Sequence, residues 1–171
     1  MKRLAVTVVS VAAFGLAGGS AFAGGGGATI DTFPVSFVMT SATCSNLPAG
    51  TTLTATGTEK SITVVKTSKS GITRIHNTSH ATGTATDQAG NTYVFDYSND
   101  FNVSNTAGNP ALFSGIMNDH FSLAGNGPAR LSNGFQGVFT TDFALLASIT
   151  PLHSRGDPID FATLAAHCDP L

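Results

Sequence analysis

The stretch that decides the fold is residues 72–103, ITRIHNTSHATGTATDQAGNTYVFDYSNDFNV. In its second half the side chains alternate, and one face carries the large apolar ones: Tyr93, Phe95, Tyr97, Phe101 and Val103. Alternation with a period of two predicts a half-buried β-strand. The first half is rich in Thr and Ala, which also favours a strand. Between them, residues 88–90 fit a three-residue hairpin loop in which Gly90 adopts the left-handed conformation.

This loop predicts a register in which Asp87 faces Asn91. Small residues of the first strand then oppose large residues of the second, as a packed sheet face favours: Ala85 opposes Tyr93, Gly83 opposes Phe95, Ala81 opposes Tyr97, and Ile75 opposes Val103. A four-residue loop would shift the register by one and turn the two histidines of the first strand inward. The favoured register instead places four polar residues together on the outer face: His76, His80, Asp96 and Asp100.

The N-terminal region predicts export. Residues 1–23 contain Lys2 and Arg3, an apolar run, and then Ala-Phe-Ala, which fits a signal-peptide cleavage site. The apolar run is short for the alternative, a membrane-spanning helix of about 20 residues. We therefore expect a signal peptide at 1–23, a Gly-rich leader at 24–29 and a single β domain at 30–171. The mature protein would be secreted, with no membrane span after cleavage.

Composition excludes some classes of partner. The chain has 8 basic and 10 acidic residues, and two of the basic ones lie in the predicted signal peptide. The sequence contains no basic patch, so nucleic acid is not an expected partner. The hydrophobic content of 42% is too high for a disordered chain. The sequence makes no prediction of the oligomeric state.

The two cysteines, Cys44 and Cys168, both lie in the predicted mature part. In an exported protein they predict one disulfide bond. It would join the end of the first strand to the C-terminus, and closing so long a loop is worth about 4–5 kcal/mol in the chain-entropy model. A catalytic cysteine is the alternative, and it is disfavoured because export oxidises free thiols.

Further alternating segments flank the central hairpin, at residues 30–40, 51–67, 112–123 and 135–145. Short turns separate them, and the tail from Pro151 is expected to be irregular. Long consecutive strands joined by short turns predict an all-β, single-domain antiparallel meander. Closure into a β-barrel, lipocalin-like or allene-oxide-cyclase-like in outline, would remove the exposed edges. A β-sandwich is the alternative.

Three segments carry a resemblance to known proteins: HATGTATDQAGNTYVFDYSNDF, FSLAGNGPARLSNGF and GDPIDFATLAAHCDPL. They resemble segments of uncharacterised small secreted proteins from high-GC Gram-positive bacteria, and the resemblance covers most of the predicted mature chain. It implies secretion and transfers no activity and no functional residue.

The sequence predicts neither a metal site nor a cofactor. His76 and His80 are four residues apart, which on a strand corresponds to about 13 Å, too far to share one ion. No zinc, calcium or nucleophile-elbow motif occurs. We therefore identify no catalytic residue from sequence motifs.

Four polar residues interrupt the aromatic face: Ser79, Asn99, Asp119 and Thr141. The hairpin register places Ser79 opposite Asn99. Turns centred on residues 109 and 130 would bring Asp119 and then Thr141 level with them. We therefore predict a polar band among aromatic side chains, and a ligand site formed by this band together with Tyr93 and Tyr97. The alternatives are a satisfied core network and a bulge that turns Asp119 towards water.

Three functions fit these features. The first is a secreted binding or interaction protein whose partner is a small apolar or amphipathic ligand. The second is an isomerase or cyclase-type enzyme in which a buried polar group acts on such a ligand. The third is a structural cell-surface protein with a filled core. A carboxyl group with a strongly shifted pKa beside a cavity would favour the enzyme.

Overall fold

A computed structural model of the protein describes residues 27–155, apart from residues 43, 45, 145 and 146. Seven strands follow one another through a single antiparallel sheet in chain order: β1 (Ala28–Thr40), β2 (Thr52–Thr67), β3 (Thr73–Asp87), β4 (Thr92–Thr106), β5 (Asn109–Gly125), β6 (Leu131–Thr141) and β7 (Ala147–Arg155). This confirms the predicted all-β antiparallel meander. The described residues include no helix that is long and apolar enough to cross a membrane.

The predicted hairpin is present as β3 and β4, in the predicted register. Ala85 lies opposite Tyr93, and the other three predicted pairs are also formed. Gly90 has a φ of 84°, and the Asp87 carboxylate accepts hydrogen bonds from the backbone N–H groups of Ala89 and Asn91, at 2.9 Å each. The loop geometry and the small-to-large packing thus favour the same register.

The sheet is strongly curled, so that its buried face packs against itself. The ring centroids of Phe37 on β1 and Phe121 on β5 are 6.1 Å apart, whereas strands four positions apart in a flat sheet would be separated by about 19 Å. Phe37 also packs edge-on against Phe95 of β4, at 5.0 Å. The inner face of β2 and β3 makes room for these rings because it carries small residues: Ala55, Gly57, Ala81, Gly83 and Ala85.

The edges of the curled sheet are β1 and β7. Among the described residues β1 pairs with β2, β7 pairs with β6, and no pairing joins β1 to β7. Closure into a barrel therefore remains a prediction, as does the alternative sandwich. The signal peptide and Cys168 lie outside the described residues. Cys44 is completely buried, and its disulfide bond with Cys168 stays a prediction.

The register between β4 and β5 agrees with the prediction, although the turn does not lie where it was expected. Asn99 faces Asp119 as predicted. The chain reverses just before Asn109. A bulge at residues 104–106 shifts the pairing, so that Asn99 still lies opposite Asp119. Asn105 fills this bulge, with its side chain hydrogen-bonded to the backbone at the start of β3 and of β5.

The predicted register between β5 and β6 is wrong. Asp119 faces Phe135 and not Thr141, because the turn is centred near Gly127 and not on residue 130. Gly127 lies against the hydroxyl of Tyr93, where a Cβ would collide with the phenol oxygen. A residue with a side chain would therefore not fit at this position of the turn without a shift of its neighbours.

The predicted irregular tail is also partly wrong, because β7 extends through Pro151. Pro151 pairs with Gly137 of β6, next to a register shift. Proline is tolerated in a sheet mainly on an edge strand, where its missing N–H is not needed. β7 is such a strand among the described residues.

The buried face holds two hydrophobic clusters, one on each side of a polar row described below. The first cluster surrounds Phe95 and includes Met39, Leu53, Tyr93, Phe121, Leu123 and Leu131. The second cluster surrounds Phe101 and includes Val103, Met117, Phe135 and Phe139.

Candidate functional site

A row of polar side chains crosses the buried face of the sheet. The registers place Ser61, Ser79, Asn99 and Asp119 directly opposite one another on β2, β3, β4 and β5. On β6 the same level is occupied by Phe135, which ends the row. We call these four residues the polar row. The predicted alignment of Ser79, Asn99 and Asp119 is confirmed.

The half of the polar row on β2 and β3 is satisfied by its own hydrogen bonds. The Asn77 amide donates to the hydroxyl oxygens of Ser61 and Thr63, at 2.8 Å each. The Ser79 hydroxyl lies 3.2 Å from Ser61 Oγ and 3.3 Å from Asn77 Oδ1. These groups hold two strands together, and their mutual bonds explain their burial.

The half on β4 and β5 is built around a buried carboxyl group. Asp119 is only 6% exposed. Its Oδ2 accepts hydrogen bonds from the Tyr97 hydroxyl at 2.8 Å and from Asn99 Nδ2 at 3.0 Å. Both donors lie on β4 and both bind Oδ2, so they hold the carboxyl group from one side.

Burial changes the acid–base properties of this pair. Burial raises the pKa of Asp119 from 3.8 to about 6, and the hydrogen bonds from Asn99 and Tyr97 and the charge of His120 offset only part of that rise. Burial, followed by the proximity of Asp119, raises the pKa of Tyr97 well above 10. Near neutral pH the carboxyl group can therefore gain or lose a proton, while the phenol stays protonated.

One acceptor in the polar row is left over. Asn99 is 4% exposed, and its Oδ1 has no hydrogen-bond partner among the described residues. A buried polar atom without a partner costs about 1–3 kcal/mol. Such atoms in proteins are normally satisfied by water or by a ligand. Asn99 Oδ1 therefore marks a position that requires a hydrogen-bond donor.

A second carboxylate, Glu59 on β2, lies beside the polar row and was missed by the sequence prediction. It faces Ala81 across the sheet on one side and Phe33 on the other. Glu59 is half-buried. Burial raises the pKa of its carboxyl group, and a hydrogen bond with Ser79 offsets part of that rise. The charge of Glu59 in turn raises the pKa of Tyr97. Leu53, Ala55, Gly57 and Glu59 alternate along β2, and this pattern in the sequence is what indicates that Glu59 lies on the inner face.

Two predicted site residues lie away from the polar row. The Tyr93 hydroxyl donates to Asp87 at 2.9 Å and so belongs to the end of the hairpin. Thr141 faces Phe113, and its hydroxyl accepts a hydrogen bond from the backbone N–H of residue 143. The structure therefore brings together Ser79, Tyr97, Asn99 and Asp119, and it gives the other two residues local structural contacts.

The outer face carries the two histidines as predicted. His76 lies 2.8 Å from Asp100 and His80 lies 2.8 Å from Asp96, and all four side chains are about half exposed. Each histidine thus has its own partner, consistent with their separation along one strand. The described residues contain no group of three potential metal ligands.

Comparisons of this chain with protein-family models, curated proteins and solved structures give no match. The site is therefore interpreted from its own geometry.

Proposed function

We propose that this is a secreted binding protein that takes a small amphipathic molecule into the curled interior of its sheet, against the polar row. The observation that carries the proposal is the unsatisfied acceptor, Asn99 Oδ1, next to the buried carboxyl of Asp119. A core built only for stability would leave neither group without a partner that offsets its burial. A bound molecule with a hydrogen-bond donor would provide one.

The arrangement of polar and apolar groups on the inner face supports this proposal. The polar row begins on β2, where Ser61 and Glu59 are partly exposed, and ends at the buried Asp119 on β5. Aromatic clusters lie on both sides of the row. A few polar groups within apolar walls are typical of small-molecule sites. Closure of the curled sheet into a barrel would complete the enclosure.

The test is native mass spectrometry of the protein purified from its own culture medium. We expect a co-purifying small molecule at one per chain. After this molecule has been removed, the protein should bind the apolar dye N-phenyl-1-naphthylamine and increase its fluorescence. Asn99→Leu should abolish the co-purifying mass. Thr84→Ala on the outer face is the matched control and should retain it. The absence of both a co-purifying mass and dye binding would refute the proposal and would favour a structural protein without a ligand.

A second function is favoured by the acid–base properties of the row. A carboxyl group with a pKa of about 6 is suited to proton transfer near neutral pH. Asp119 could remove a proton from one ligand carbon and return it to another, while the Tyr97 hydroxyl, 2.8 Å from Oδ2, holds the carboxyl group in place by its hydrogen bond. This is an isomerisation, and it needs no co-reactant.

Deuterium incorporation separates the enzyme from the binding protein. The co-purified molecule is incubated with the protein in D₂O, and its mass is followed with time. Uptake of deuterium at carbon that disappears in Asp119→Asn supports the isomerase. A ligand that binds but gains no deuterium supports binding alone.

A further inference from the structure

We infer that the ligand is an organic cation, namely an amine with an apolar body, whose ammonium group lies between Glu59 and Asp119 and donates a hydrogen bond to Asn99 Oδ1. The inference rests on the proposed function and specifies the chemical class of its ligand. Three independent features of the inner face lead to it.

The first feature is a separation of charge between the two faces of the sheet. The inner face carries three carboxyl groups at or beside the polar row: those of Glu59 and Asp119, and that of Asp31, which is exposed and lies opposite Ser61. Every basic side chain of the described strands lies at an outward position: Lys60, Lys66, Arg74, His76, His80, His120, His153 and Arg155. Buried carboxylates normally have a cationic partner. Within the described strands, the sheet does not supply that partner.

The second feature is the hydrogen-bonding inventory of the row. On β4 the donors are already engaged, because the Tyr97 hydroxyl and Asn99 Nδ2 both donate to Asp119 Oδ2. The remaining capacity consists of acceptors, chiefly Asn99 Oδ1 and the carboxylate of Glu59. An ammonium group has three donors and no acceptor. It therefore complements what remains, whereas a ligand carboxylate would meet only repulsion.

The third feature is the aromatic surface around these acceptors. Tyr97 faces Phe121 across β4 and β5, and Phe33 faces Glu59 across β1 and β2. Aromatic faces attract cations, and the attraction is about 0.5–2 kcal/mol or more when the cation is desolvated. The same rings provide apolar contact for the remainder of the ligand. A neutral hydroxyl compound would gain this apolar contact without the attraction to charge.

The test compares three probes that share an eight-carbon chain: octylamine, 1-octanol and octanoate. Binding to the mature protein is measured by isothermal titration calorimetry at neutral pH. We expect octylamine to bind at one per chain at least about tenfold more tightly than octanol, and octanoate not to bind. The double variant Glu59→Gln/Asp119→Asn should remove this tenfold preference, so that octylamine binds no more tightly than octanol. Asp96→Asn, on the outer face, should retain the preference.

The outcomes separate this inference from the proposed function. Equal binding of octylamine and octanol would overturn the cationic ligand and leave an apolar-ligand protein standing. An amine preference that persists in the double variant would place the cation elsewhere and would also overturn it. Failure of all three probes, together with no dye binding, would overturn both.

Discussion

Replacing Asp119 with Asn should remove a specific pH dependence from the stability of this protein. The substitution keeps the shape of the side chain and an oxygen that can accept hydrogen bonds from Tyr97 and Asn99. It removes the charge whose burial raises the pKa of the carboxyl group from 3.8 to about 6. In effect it holds position 119 permanently neutral.

The sign follows from proton linkage. Between pH 3.8 and about 6 the folded protein holds the Asp119 proton more tightly than the unfolded chain does, so stability falls as pH rises through this window. The difference between the unfolded and the folded pKa of Asp119 corresponds to about 3 kcal/mol of stability, at 1.36 kcal/mol per pKa unit. Asp119→Asn should therefore match the wild type below about pH 3 and exceed it by as much as about 3 kcal/mol above pH 7.

The assay is urea unfolding of both proteins across this pH range, followed by circular dichroism. The difference between the two curves isolates Asp119, because the contributions of titrating groups that both proteins share largely cancel. Asp31→Asn is the control, because this exposed residue lies opposite Ser61 on the same face. A difference that stays constant with pH, or that grows towards acid, would refute the argument that Asp119 is destabilised by burial.

Three further predictions follow from other parts of the molecule. Gly83→Ala should destabilise the protein by about 1–3 kcal/mol, because the new Cβ would collide with the backbone carbonyl oxygen of Thr56 and meet the ring of Phe95 at 2.6 Å. Gly108→Ala, with nothing within 4 Å, should change the unfolding free energy by less than about 0.5 kcal/mol. Cys44→Ser should cost about 2–5 kcal/mol, and alkylation that finds Cys44 and Cys168 as free thiols in the exported protein would contradict the disulfide. Asp87→Ala should lower the Tm at neutral pH, because hydrogen bonds, above all that from Asn91, hold the pKa of Asp87 below its usual value. This contribution is present above the ordinary pKa and is lost as pH falls through the lower folded value, so equal differences in Tm at neutral and acid pH would contradict it.

The sequence predicted most where local rules acted together. In the central hairpin, turn chemistry at Gly90 and the pairing of small residues with large ones favoured one register, and that register is formed. Because side chains in a strand alternate with a period of two, this register also determined which residues face inward. The alignment of Ser79, Asn99 and Asp119 followed from it.

Prediction failed where tertiary contacts decide. The segment between β5 and β6 contains several residues that favour turns, so local turn chemistry did not select Gly127, which the fold places against the hydroxyl of Tyr93. β7 was missed because Pro151 and a register shift disrupt its alternation. Glu59 was not predicted, although the alternation of Leu53, Ala55 and Gly57 along the continuous strand β2 places it on the inner face.

The composition of the polar row is hard to explain by stability alone. At the same level of the sheet, β6 carries Phe135, so an apolar side chain is compatible with this interior. Asp119 instead costs about 3 kcal/mol at neutral pH relative to a carboxyl group in water. Asn99 Oδ1 adds the cost of an acceptor that no described residue satisfies. Apolar residues at these two positions would remove both costs, whereas a bound ammonium group would offset both at once. This balance of costs is the reason for our proposal that a ligand completes the core at the polar row.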